Sequence, residues 1–195
     1  MNHKLIAIAA VDLNNGLGRN NHLCWDIRVD MNHFKKITWN YVVIMGANTF
    51  RSMHNVPLVF RDNIVITNNP SKLRRETEEA YHKNKICDEA FTSRFARLDF
   101  MPLNELDDFL TKKDFELRGQ KLFLIGGAQL YDALIDECQQ VYLTTIFKTY
   151  LTDCRFPNLN EHGFTMIKNI RNGDFYDRMH MEKVPMSIDL WEKIK

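Results

Sequence analysis

Asp30 stands five residues after Trp25, in a stretch where Ile27, Met31, Phe34 and Ile37 recur at helical spacing. At ~100° per residue, Asp30 falls between Ile37 and Phe34, inside the apolar arc of that helix. A carboxylate there is costly unless something pairs with it or hydrogen-bonds it. Burial would raise its pKa and suit it to acid chemistry. The helix macrodipole also favours an acidic residue in a first turn, where it can simply be exposed. Spacing alone leaves both readings open.

Other chemistry-bearing residues gather where apolar runs end. Gly126-Gly127 follows Lys121–Ile125 and precedes a helical pattern. Such a pair lets backbone N–H groups approach a phosphate, and it also serves as an ordinary tight turn. Met45-Gly46 runs into Asn48-Thr49, and a third run ends at Thr67-Asn68. Gly16-x-Gly18 lacks a third glycine and a helix directly after it. Taken singly, the remaining candidates read blandly. Trp25 is a core aromatic, Arg61 a surface arginine and Thr144 an ordinary strand threonine. Tyr131 is a packing residue with its hydroxyl at the surface.

The elements that must position these residues follow from periodicity. Lys4–Val11, Tyr41–Met45, Asn63–Thr67, Lys121–Ile125 and Val141–Phe147 read as strands, with a short one at Arg97–Met101. Helical patterns cover Ile27–Thr38, Asn48–Met53, Pro102–Lys112 and Ala128–Ile135. Ser187–Ile194 alternates like an edge strand. Residues 71–96 are rich in charge and poor in aliphatic side chains, and read as a solvated, partly helical surface insertion. Buried strands alternating with helices predict an α/β fold with a central, mostly parallel sheet. Ligands of such sheets bind beyond the carboxyl ends of the strands.

The 195 residues suit a single domain spanning the whole chain. With 45% hydrophobic and 26% charged residues, the composition is that of a globular protein. A net charge of +1 gives no case for nucleic acid or a membrane surface. The apolar run Leu5–Val11 is too short to span a bilayer and lacks a signal-peptide cleavage pattern, so a cytoplasmic protein is expected. Cys24, Cys87, Cys138 and Cys154 are far apart and read as free thiols. No two of the seven histidines stand three or four apart, so no helical metal site is expected.

In order and together, these pieces resemble dihydrofolate reductase. Ile8-Ala9-Ala10-Val11, Asn14-Asn15-Gly16-Leu17-Gly18 and Leu23-x-Trp25 look like that family's first strand and mobile loop. Trp25-x4-Asp30-x3-Phe34-Lys35 is similar to the bacterial-type active-site helix. Val43-Ile44-Met45-Gly46-x-x-Thr49-Phe50-x-Ser52 and Pro57-Leu58-x-x-Arg61-x-Asn63 resemble the next signatures. Ile125-Gly126-Gly127-Ala128-x-Leu130-Tyr131, Leu143-Thr144-x-Ile146 and Asp153-x-x-Phe156-Pro157 follow. The likeness covers nearly the whole chain outside residues 71–96. Trp25-x4-Asp30 and Arg61 favour it over a pyrimidine reductase of riboflavin synthesis; a weakened folate-binding paralogue is the second alternative, supported by the insertion and the altered 2′-phosphate pocket.

The resemblance implies NADPH-dependent reduction of 7,8-dihydrofolate to tetrahydrofolate, serving one-carbon and thymidylate metabolism. It implies that Asp30 pairs with the pterin edge and that Thr144 orients Asp30. Ile8 and Ile125 would offer carbonyls to the pterin, and Ala9 and Ala10 would leave room for flat rings. Met31, Phe34, Met53 and Leu58 would line the apolar channel, and Arg61 would clamp the glutamate α-carboxylate. Leu23 and Trp25 would close over the reacting rings, and Tyr131 would lie near the nicotinamide. Leu17, Gly18, Gly46, Ala47, Asn48, Thr49, Thr67, Asn68, Gly126, Gly127, Ala128, Gln129 and Leu130 would meet the cofactor. A cis peptide between the two glycines is also implied. So is a monomer that binds antifolates.

The chain departs from the family pattern at four positions. Cys24 and Arg28 stand where the family prefers proline, and Ala47 and Gln129 where basic residues are usual. The 2′-phosphate pocket is therefore atypical and leaves NADH use open. Lys72, Arg74 or Arg75 is expected to supply the missing charge.

Overall fold

The computed structural model describes residues 4–83, 96–113 and 120–194. The apolar run LIAIAAV becomes strand β1 (Leu5–Val11), with Leu5, Ala7 and Val11 buried. It is followed by β2 (Gly16–Gly18), α1 (Arg28–Thr38), β3 (Val42–Gly46), α2 (Ala47–Ser52) and β4 (Arg61–Ile66). Next come α3 (Pro70–Lys83), β5 (Ala96–Met101), α4 (Leu106–Lys113), β6 (Leu122–Leu124) and α5 (Ala128–Leu134). The chain closes with β7 (Cys138–Ile146), β8 (Cys154–Arg155), β9 (Phe164–Asp177) and β10 (Glu182–Lys193). Eight strands form one mixed sheet in the order β5-β4-β3-β6-β1-β7-β10-β9, and β2 pairs separately with β8.

By internal contacts the chain divides into two compact units, one of Met1–Lys4 and Thr38–Gly127, the other of Leu5–Ile37 and Ala128–Lys195. In the first unit β3 runs parallel to β4 and β6, and β4 runs parallel to β5. Val42, Val43, Ile44 and Met45 are fully buried, as a parallel strand covered on both faces requires. Helix α3 starts at a proline, whose missing N–H is harmless there. Asn69 precedes it, and the Asn69 Oδ1 accepts the Lys72 N–H at 3.0 Å, capping the helix. Leu73 and Thr77 are buried. The expected solvated insertion is thus, over its first part, a helix docked by a narrow buried seam. The rest of that insertion, residues 84–95 with Cys87, lies outside the described residues.

In the second unit β1 pairs parallel with β7, while β10 runs antiparallel between β7 and β9. The strand expected at Ser187–Ile194 exists and is longer, but it is internal. The edge is β9, whose Thr165–Asp174 are all exposed. With neither face of that segment buried, β9 has no apolar alternation for a sequence reading to detect. Trp25, Ile27, Ile146, Val184, Met186 and Ile188 form a core cluster of this unit.

Two glycines in β2 answer to close packing. A Cβ on Gly16 would collide with the Thr152 side chain, and one on Gly18 with the His22 carbonyl. No helix among the described residues is long and apolar enough to cross a membrane.

Candidate active site

Helix α1 brings Asp30 into its first turn, and Asp30 lies partly buried opposite β7 in the second unit. Burial raises its pKa, because desolvation disfavours the anion. A hydrogen bond from the buried Thr144 hydroxyl works in the opposite direction. Thr144 lies beside Ala10 in the parallel register of β1 and β7, so Ala10 and Asp30 share a neighbour. The expected Asp30–Thr144 pair is present. Of the apolar residues on α1, Met31 stays 39% exposed and Phe34 and Ile37 are only partly buried. The arc around Asp30 therefore keeps apolar surface uncovered by the protein's own packing.

Tyr131 is not the surface hydroxyl that sequence reading gives by default. α5 buries it, and its OH donates to the Ile8 carbonyl at 2.7 Å. The Phe156 ring meets it edge-on at 4.7 Å. Burial, then Cys138 and Asp30, push its pKa upward and keep it a neutral donor. Ile8 O thus carries a side-chain hydrogen bond from α5.

Leu23 and Trp25, expected to act together, have different surroundings. Leu23 is 43% exposed, whereas Trp25 is 2% exposed in the core cluster. The Trp25 ring lies 5.4 Å from the Tyr150 ring. Its indole N–H is buried and meets no acceptor among the described residues. A buried donor of this kind is costly unless something outside the chain completes it.

The loop after β1 depends on a residue that sequence reading missed. Asp12 is buried, and its Oδ1 accepts the N–H groups of Asn14 and Gly16 at 2.8 and 2.7 Å. Its Oδ2 accepts the Tyr150 N–H at 2.9 Å. An Asp two residues before an Asn-Asn-Gly turn is a recognisable Asx-turn signal. Gly18 O accepts the Asp153 N–H at 3.0 Å, and Asp153 Oδ2 accepts the Asn20 N–H at 2.7 Å. Cys24 Sγ is 3.9 Å from the Leu151 carbonyl. Burial, then Asp12 and Asp153, raise the thiol's pKa and keep it protonated.

In the first unit, the ends of β3 and β6 bring Gly46, Gly126 and Gly127 together. Gly46 N donates to Gly126 O at 2.7 Å, and Ile125 N donates to Ile44 O at 2.9 Å. The Gly126-Gly127 peptide is cis, as the resemblance implies, and Gly126 has φ 118°. A Cβ on Gly127 would lie 3.1 Å from Thr49 Oγ1, so a side chain there would fill the approach to the backbone. No side chain caps α2 at Gly46, so the amides of its first turn are not committed to a cap. Asn48 is exposed and Ala47 and Thr49 are partly buried. In the second unit α5 carries Ala128, exposed Gln129 and buried Leu130.

Arg61 is the second clear correction. At 5% exposure it is not a surface arginine. Its Nε donates to Thr38 Oγ1 and one terminal nitrogen to the Val59 carbonyl, both at 2.8 Å. Its guanidinium lies 5.5 Å from the Trp39 ring centroid. Burial lowers its pKa, though a guanidinium stays charged. Buried Asn63 folds the chain that presents it. The Asn63 side chain accepts the Leu58 N–H at 2.9 Å and donates to the carbonyls of Leu58 and Arg61 at 3.0 and 2.9 Å. Asn63 appears in the sequence motif with no role assigned. Met53 and Leu58 are partly buried nearby in the chain.

Beyond β4, Thr67 Oγ1 accepts the Asn69 N–H at 3.2 Å, and Asn68 is exposed. Of the three expected cations, Lys72 lies 3.9 Å from Glu76, which also pairs with Arg51 at 2.9 Å. The Arg74 guanidinium lies 5.4 Å from the Phe100 ring centroid, and Arg75 is exposed. Among the described residues, no group of three or more His, Cys, Asp or Glu side chains is arranged to hold a metal ion.

Residues 4–186 match the family model described as dihydrofolate reductase. The chain is 31% identical over 162 residues to the dihydrofolate reductase of Bacillus subtilis (strain 168), covering 83% of this chain and 80% of that protein. It is 32% identical over 181 residues to the bifunctional dihydrofolate reductase-thymidylate synthase of Paramecium tetraurelia. That match covers 89% of this chain, which spans 33% of the relative's length. Among solved structures, the dihydrofolate reductase of Enterococcus faecalis complexed with NADP(H) and RAB-propyl has the same fold. Its TM-score is 0.71 at 21% identity, covering 98% of this chain and 97% of that one.

Proposed function

The chain belongs to the dihydrofolate reductase family, and with that as premise we propose how its own residues carry out NADPH-dependent reduction of 7,8-dihydrofolate to 5,6,7,8-tetrahydrofolate. The observation that carries the reading is Asp30. It is a carboxyl with a raised pKa, oriented by one buried hydroxyl and surrounded by apolar surface left uncovered. Such a group can accept two hydrogen bonds from a planar, nitrogen-rich ring edge and fix its orientation. It can also hold a proton at a pH where an ordinary carboxyl has lost it.

In the second unit, Ile8 O and the space above Ala9 and Ala10 receive the flat ring, while Met31 and Phe34 cover its faces. Leu23 excludes water from the exposed side, and the buried Trp25 N–H serves as a donor to the bound molecules. Tyr131 fixes Ile8 and, with Leu17 and Gly18, borders the cofactor's reactive ring. In the first unit, Arg61 clamps a substrate carboxylate with its planar guanidinium, Met53 and Leu58 pack on the aromatic linker, and Ile125 offers its carbonyl.

When bound, NADPH supplies the hydride. The glycine cradle fits such a group, because a Cβ at Gly127 would lie 3.1 Å from Thr49 Oγ1 and fill the approach to the backbone. Gly46, Ala47, Asn48 and Thr49 contact its phosphates, as do Ala128, Gln129 and Leu130 of α5. Thr67 and Asn68 approach the ribose, and Arg74 or Arg75 replaces the charge that Ala47 and Gln129 lack. We place the reaction in one-carbon and thymidylate metabolism, in the cytoplasm, carried out by a monomer open to antifolates. The free thiols Cys24, Cys138 and Cys154 support a reducing compartment.

The test is loss of NADPH absorbance on adding dihydrofolate, and its suppression by methotrexate. A protein that turns over neither NADPH nor NADH with dihydrofolate would refute the reading.

A further inference from the structure

Asp177 is fully buried and anchors a network that the reaction does not account for. Its Oδ1 accepts the N–H groups of Asp26 and Met179, both at 3.0 Å. Its Oδ2 accepts the Tyr150 hydroxyl at 3.2 Å and lies 2.7 Å from His180 Nδ1. Ile27 makes an isolated β-bridge to Asp177. Arg178 forks onto Asp26 Oδ2 at 2.9 and 2.7 Å and donates its own N–H to the Asp26 carbonyl at 3.0 Å. Asp26 and Ile27 are therefore fixed from the turn between β9 and β10.

Tyr150 supplies the link to Trp25. Asp12 Oδ2 holds its main-chain N–H, Asp177 holds its hydroxyl, and its ring lies 5.4 Å from the Trp25 ring at 50°. The His180 ring, at 5.3 Å, and Lys148 Nζ, at 5.2 Å, bound it on other sides. Burial, then Asp177, raise the pKa of the hydroxyl, which stays a donor. One tyrosine is thus held by two buried carboxylates, one from the loop after β1 and one from the end of β9. Three successive residues, Trp25 to Ile27, lean on this assembly, and Asp30 follows three positions later in the first turn of α1.

We propose that Tyr150 is a positioning residue for the reductase reaction: tethered by Asp12 and Asp177, it holds the Trp25 ring and, through it, the chain that presents Asp30. This rests on the reductase reading above. Trp25 is buried yet flanked by Cys24 and by the exposed Leu23. Ile146, Val184, Met186 and Ile188 pack around it, and Tyr150 adds to that cluster a ring whose hydroxyl is tethered. Removing the hydroxyl leaves the buried Asp177 carboxylate one donor short and frees the ring to tilt.

The experiment uses the full chain labelled with 5-fluorotryptophan, with the Trp25 fluorine resonance assigned by Trp25→Phe. Tyr150→Phe keeps the ring and removes the tether. It is expected to broaden or split the Trp25 line while leaving those of Trp39 and Trp191 unchanged. Single-turnover hydride transfer should fall about fivefold or more, with the Kd for NADPH within about twofold of wild type. Asp177→Asn, which keeps the shape but weakens the acceptor, should move the same line in the same direction. A Trp25 line and a hydride-transfer rate both at wild-type values in Tyr150→Phe overturn the inference, as does equal broadening of all three tryptophan lines. Wild-type protein without turnover instead overturns the reductase reading on which it rests.

Discussion

The Thr144 hydroxyl donates to the Asp30 carboxylate and opposes the burial that raises the Asp30 pKa. Burial is the larger effect, so the carboxyl keeps its proton at a higher pH than an ordinary aspartate while remaining correctly aimed.

Asp30 therefore costs the fold stability. Its pKa is higher in the folded chain than the ordinary 3.8. The folded state then binds more protons, and stability is lost as pH rises from that value through the raised one. Asp30→Asn is expected to melt higher than wild type at neutral pH, with the gap closing in acid. Each kcal/mol relieved should appear as about 2–4 °C in Tm. The same variant should lose roughly 10²–10⁴-fold in hydride-transfer rate. A Tm difference constant across pH would show that the carboxyl is not desolvated.

Thr144→Val keeps the side-chain shape and removes the donor. The Asp30 pKa should then rise further, because the opposing hydrogen bond is gone. The alkaline limb of the kcat/KM profile for dihydrofolate should move to higher pH. A limb that stays in place, or moves toward acid, would separate Thr144 from the titrating group.

Arg61→Lys tests the buried clamp. A lysine keeps the charge but cannot serve Thr38 Oγ1, the Val59 carbonyl and a planar carboxylate together. Loss of one charge-assisted hydrogen bond, about 1.5–3 kcal/mol, corresponds to a rise in KM for dihydrofolate of roughly 10–100-fold, with kcat little changed. An unaltered KM would confine Arg61 to its contacts within the fold.

Arg74→Ala and Arg75→Ala, singly and together, address cofactor choice. The double variant should lower the NADPH to NADH ratio of kcat/KM by about tenfold or more, mainly through KM for NADPH. Arg75, exposed and clear of the Phe100 ring that Arg74 covers, should have the larger single effect. A ratio unchanged in the double variant would leave the basic cluster to the solvent.

The helical wheel puts Asp30 inside the apolar arc, where the structure has it partly buried, and apolar runs placed β1, β3, β4, β6 and β7, because burial on both faces writes itself into consecutive residues. The same logic failed for β9, whose residues face solvent along most of their length, and so turned an internal β10 into an apparent edge. Side chains that serve the backbone were also hard to read. Asp12, Asn63 and Asp177 look like loop or strand polar residues, and their partners lie as far as 151 positions away in the chain. Arg61 shows a related blind spot. Composition predicts an exposed guanidinium, and only the fold reveals acceptors enough to bury it.

The contact between Gly16 and Thr152 restricts the order in which this loop can change. Any side chain at position 16 collides with Thr152 down to its Cβ, so no rotamer change relieves it. Position 152 must shrink to glycine before position 16 can grow. A lineage that acquires the two substitutions in the reverse order passes through an intermediate with a disrupted loop. The two positions therefore form an epistatic pair, in which Thr152→Gly is the permissive step.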